Sequence, residues 1–195
     1  MKRNQVVLVC LLLLLAALLS ACAEKEKGID LEAEGAAQAQ RVEANDFEMT
    51  LYADQEICKS NEPIQIWATL RYTGKDDTVT IWHGIPYMNF SITDGEEFNI
   101  GSQILTVLTS TELEKDKIYR FDYQKSGAWD ANDPNASFWE NFYQEQELLL
   151  PAGEYTVSVS GAFSLTSPLP APAMTEPATD SKSDLLCELT IKVKD

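Results

Sequence analysis

An all-β fold, an antiparallel sandwich, is what this chain predicts, and three observations predict it. Apolar residues recur at every second position in several short runs. Gly, Pro, Asn and Asp punctuate those runs. Outside the first twenty residues, no long stretch repeats its apolar positions at the helical period. Short strands with one buried face must pair and then stack their apolar faces, and two packed sheets accomplish both.

The strands follow in order. Phe47, Met49 and Leu51 alternate with Glu48, Thr50 and Tyr52, as in a strand with one buried face. Pro63 opens a second strand in which Ile64, Ile66, Ala68, Leu70 and Tyr72 share a face, before a turn at 74–77. Shorter strands are expected over 78–82, 88–93, 103–108 and 118–123, with Trp82-His83-Gly84-Ile85-Pro86 read as a turn. Residues 124–147 break the alternation and read as an insertion. A short helix is expected there, because Ser137-Phe138-Trp139-Glu140 has the spacing of a capping box. Phe138 with Phe142, and Trp139 with Tyr143, are helical neighbours four apart. Strand pattern returns at Leu148, a proline-rich loop is expected over 164–183, and Cys187, Leu189, Ile191 and Val193 alternate in a last strand.

Leu150-Pro151-Ala152-Gly153-Glu154-Tyr155-Thr156-Val157 is the strongest fold signal. Gly153 can take the positive φ of a corner, and Tyr155 is placed to bond a backbone group upstream. The segment resembles the tyrosine corner of immunoglobulin-like sandwiches, which implies an immunoglobulin-like domain over 46–195 with a short helical insertion.

The N-terminus carries an address. Lys2 and Arg3 precede an apolar run from Val6 to Leu19, which is the pattern of a secretory signal peptide. Leu19-Ser20-Ala21-Cys22 resembles a bacterial lipobox. That resemblance implies cleavage before Cys22, acylation of its thiol with palmitate-type chains, and an extracytoplasmic protein anchored to the cell membrane by lipid. Residues 1–22 are thus the expected signal peptide and lipobox. Residues 23–45, rich in Ala, Glu, Gln and Lys, are expected to be a disordered tether.

Charge and cysteine usage narrow the function. The formal net charge is −16, from 31 acidic and 15 basic residues, so nucleic acid is not an expected partner. Cys58 and Cys187 form an even pair in a chain expected to be exported. A disulfide between them is the expectation, and by chain entropy it would contribute roughly 5 kcal/mol; the alternative is two separately buried thiols. His83 is the single histidine. With no nucleophile elbow, zinc-binding helix or phosphate loop beside it, the chain is expected to be no enzyme and to need no cofactor; the alternative is an extracytoplasmic enzyme without a visible motif, which would require a pocket of converging carboxylates and His83. Asp130, Asn132 and Asp133 offer oxygen ligands of the kind calcium takes, yet Asp, Asn and Pro are also turn formers, and a solvated turn is the expectation.

Aromatic residues crowd the insertion. Trp129, Phe138, Trp139, Phe142 and Tyr143 are the candidate contact surface for a protein or envelope component, the alternative being a satellite core beneath the insertion. The order 66–70, 82–93, 113–121, Trp129 and 150–159 resembles the intracellular proteinase inhibitor family (BsuPI-type). That resemblance implies a small binding domain, and as a second function an extracellular protease inhibitor. It carries over no inhibitory residue.

Overall fold

The computed structural model describes residues 33–167 and 185–195. The expected signal peptide, the lipobox with Cys22 and most of the proline-rich loop lie outside the described residues. Among the described residues no helix is long and apolar enough to cross a membrane.

Among the described residues, ten strands and one helix build an all-β sandwich. They are β1 (Gln38–Ala44), β2 (Phe47–Ala53), β3 (Ile57–Lys59), β4 (Ile66–Tyr72), β5 (Thr78–Thr93), β6 (Asn99–Gly101), β7 (Leu105–Glu114), β8 (Ile118–Asp122), α1 (Ala136–Gln144), β9 (Gly153–Ser164) and β10 (Leu186–Lys194). One sheet has the order β1-β2-β4-β8. The other has the order β3-β10-β9-β5-β6, with β7 paired to β5. All pairs are antiparallel except β3 with β10, which is parallel.

The alternation read in the sequence becomes the core. Met49 and Leu51 on β2, Ala68 and Leu70 on β4, Ile92 on β5, Val157 and Val159 on β9, and Ile191 on β10 are all fully buried. Phe47 joins the two layers: its ring lies 5.4 Å from that of Tyr72 in its own sheet and 5.0 Å from that of Phe163 in the other. Strand β4 is covered on both faces. Trp67, opposite Tyr52 in the ladder, stacks on it at 5.3 Å, and the Arg120 guanidinium lies over the indole at 4.6 Å.

Several expectations are corrected. The segment taken as tether through Asn45 contributes β1, an edge strand whose exposed side chains are held by its full ladder with β2. The runs 78–82 and 88–93 belong to one strand, β5. The supposed turn at 82–86 is instead a bulge, where register shifts against β7 and β9 and the Ile85–Pro86 bond is cis. Gly153 has no positive φ; its missing β-carbon leaves room for the Tyr155 ring, whose nearest atoms would stand 3.3 Å from one. The corner bond itself is present, Tyr155 Oη donating to Pro151 O at 3.0 Å.

Tyr155 is almost wholly buried and its bond to Pro151 part-buried, so removing the hydroxyl deprives the Pro151 carbonyl of that donor. We expect Tyr155→Phe to lower stability by about 1–2 kcal/mol in urea unfolding. An unchanged midpoint would mean the corner bond contributes nothing.

The expected disulfide is absent. Cys58 and Cys187 are both buried free thiols. Register explains why: Cys58 stands opposite Val193, six residues along β10 from Cys187. At about 3.3 Å per residue that is roughly 20 Å of strand, far beyond the roughly 7 Å that a disulfide can bridge. Cys187 Sγ instead donates weakly to Met49 O at 3.5 Å.

Candidate functional site

The insertion closes over one end of the sandwich through Phe98. Asp94 and Phe98 pin the β5–β6 turn shut: Asp94 N donates to Phe98 O, and Phe98 N donates to Asp94 Oδ1, each at 3.1 Å. This holds the buried Phe98 ring under helix α1. There it meets Phe142 at 5.6 Å, Trp139 at 5.5 Å and Tyr155 at 5.2 Å. Edge-to-face aromatic packing of this kind adds to simple area burial. The helix therefore has a fixed seat.

The helical neighbours are as the spacing predicts. Phe138 stacks toward Phe142 at 6.0 Å, and Trp139 toward Tyr143 at 6.2 Å. The capping box does not form. Asn135 is the N-cap and makes no side-chain cap bond, so Ser137 lies inside the first turn. The preceding turn is tied by Asp133 Oδ1, which accepts from Asn135 N at 2.6 Å.

The five candidate contact residues divide. Phe142 is buried, and Trp139 and Tyr143 are half-buried against the core, so these three are withdrawn as a freely exposed surface and form the satellite core. Trp129 and Phe138 each keep 40% of their surface exposed. Together with Trp139 and Tyr143 they line an open cleft of about 690 Å³ between α1, the loop before it and the β5–β6 turn. Trp129 and Tyr143 are near-parallel, 6.3 Å apart at 14°, so Tyr143 stands in a row between the two indoles. A β-carbon at Gly127 would overlap the Tyr143 ring, so only glycine lets the loop pass this close.

The remaining wall is acidic. Asp94, Glu97, Asp130 and Asp133 line the cleft, and among the described residues no lysine, arginine or histidine does. Asp94 and Glu97 come from a turn that the sequence marks only as a strand end. Asp130 Oδ1 accepts from Asn132 N at 2.8 Å and from its side-chain amide at 2.9 Å; these bonds hold the carboxyl below the usual carboxylate range. Asp130, Asn132 and Asp133 thus serve as turn ties. Among the described residues no group of three or more His, Cys, Asp or Glu is placed to hold a metal.

His83 lies elsewhere, buried on β5. Its Nδ1 meets Gly84 O and its Nε2 meets Thr111 Oγ1 at 2.8 Å, so both ring nitrogens have partners within the fold. A further exposed apolar group was not singled out in the sequence: Ile104, Leu105, Val107 and Leu108 at the start of β7, beside Ile85. It lies on an edge strand and lines no part of the cleft.

No family model and no curated protein matches the chain. Among solved structures, a β-glucosidase from Erythrobacter marinus is similar at 13% identity and a TM-score of 0.35, over 80% of this chain. The likeness spans 15% of that enzyme's length and, at this score, carries no argument about activity.

Proposed function

We propose that this chain is an extracytoplasmic lipoprotein, anchored through Cys22, whose sandwich is a non-catalytic binding module for a protein or envelope component. Two large rings, Trp129 and Phe138, stand exposed at the mouth of a preformed cleft whose floor is rigid aromatic core. That observation carries the binding reading, because exposed aromatics on a fixed scaffold are the usual anchors of recognition surfaces. The lipid anchor rests on the lipobox resemblance.

A photocrosslinking amino acid placed at position 129 or 138 in growing cells is expected to capture one partner, and the same probe at exposed Thr80 on β5 to capture none. Equal yields from all three positions, or none from 129 and 138, would sink the contact surface. Independently, Cys22→Ser is expected to abolish labelling by radioactive palmitate and to release the protein from the membrane fraction.

A further inference from the structure

We propose that the cleft binds an extended, basic segment of a partner polypeptide, its lysine or arginine side chains meeting the exposed Trp129 indole and the carboxylates that line the cleft. This rests on the binding-module reading and names its ligand chemistry. The cleft offers a cation two kinds of attraction. Trp129, 40% exposed at the end of the row Trp129–Tyr143–Trp139, presents an indole whose quadrupole attracts an ammonium or guanidinium group. Asp94, Glu97, Asp130 and Asp133 line the same cleft, and among the described residues no basic side chain lines it to neutralise them.

The wall is also pre-ordered. Asp94, Asp130 and Asp133 each use Oδ1 to tie a local turn, and among the described residues their second oxygens accept no hydrogen bond. A ligand would therefore meet carboxylates already fixed in place, without the entropy loss of ordering them. The net charge of −16 adds a long-range field that draws cations and repels anions.

Size argues for a polypeptide. A cleft of about 690 Å³ exceeds what one side chain fills, and its acids sit on two separate turns, at 94–97 and 130–133, so neighbouring cations of one extended chain can each find a carboxylate. A sugar would also stack on indole faces, but four carboxylates without a basic group are matched to charge rather than to neutral hydroxyls.

The test is titration calorimetry of the full-length protein in detergent with a blocked lysine–glycine repeat peptide, its acetyl-lysine counterpart and spermidine. We expect binding by the lysine peptide, loss of at least about tenfold on acetylation, and weakening in high salt. Trp129→Ala and Glu97→Gln, both at exposed positions and each first shown to unfold in urea at the wild-type midpoint, are each expected to weaken it several-fold. Equal affinity for the acetylated peptide would overturn the cation assignment while leaving a binding cleft. Spermidine binding as tightly as the peptide would overturn the polypeptide assignment. No binding up to about 1 mM, with crosslinks still forming from position 129, would reject the ligand class alone. No binding and no crosslinks would reject the binding module as well.

Discussion

Phe47→Ala will destabilise the sandwich by about 3–5 kcal/mol, a large share of the roughly 5–15 kcal/mol that holds a domain folded. The ring is 1% exposed at the start of β2, and it touches Tyr72 in one sheet and Phe163 in the other. Truncation therefore opens a cavity at the joint between layers, where neither sheet can collapse inward without breaking its own ladder. Phe47→Leu, which keeps most of the volume, is expected to cost less than half as much. Urea unfolding of the two variants decides the matter. Equal losses would mean that the aromatic contacts, and not the filled volume, hold the joint.

The second large effect is alkaline. Burial pushes the Cys187 thiol up from its ordinary value of 9.0 to about 11, and raises Cys58 and Tyr87 in the same direction. For an acid whose folded pKa is raised, the neutral form is the one the fold favours. Its contribution is whole below pH 9, where both states keep the proton. It falls as pH rises from 9 toward 11, because the unfolded chain then loses a proton that the folded chain retains. Two units on Cys187 correspond to about 2.7 kcal/mol. The advantage of the wild type over Cys187→Ala, measured by urea unfolding, should therefore shrink by about 2 kcal/mol between pH 7.5 and 10.5. A pH-independent difference would show that the thiol ionises in the folded state as it does in water. At pH 8 the same shift should slow alkylation of Cys187 by roughly a hundredfold relative to a solvated thiol, before any effect of access.

What was legible in the sequence follows from what burial does to it. Strands β2, β4 and β10 pack one or both faces, and their alternation is plain. Strand β1 packs only Val42 and Ala44, both partly buried, against the core. Its place depends on backbone bonds to β2 and on two side chains that reach β10: Gln38 Nε2 donates to Thr190 O at 3.0 Å, and Gln40 Oε1 accepts from Glu188 N. Periodicity cannot see such a strand. Gly84 and Pro86 mark a turn on composition alone, yet a bulge absorbs them, because β9 and β7 pair with β5 on both sides of the irregularity. The disulfide expectation failed on register, which a count of cysteines does not contain. At the cleft, the aromatic half was visible as a local cluster. The acidic half was not, since Asp94 and Glu97 join it only through the packing of Phe98 beneath a helix some forty residues later.

The place of β10 has a consequence in time. Residues 186–194 lie between β3 and β9, give β3 its only ladder partner among the described residues, and receive the side-chain ties of β1. A chain emerging from its N-terminus, whether from the ribosome or through a narrow channel, can form local hairpins such as β1-β2 early. It cannot close the second sheet until its last strand is out, because that closure joins segments more than a hundred residues apart. Until then β3 and β9 present open edges to whatever holds the chain. Synthesis and closure of the second sheet are thereby separated for as long as the nine residues of β10 are withheld.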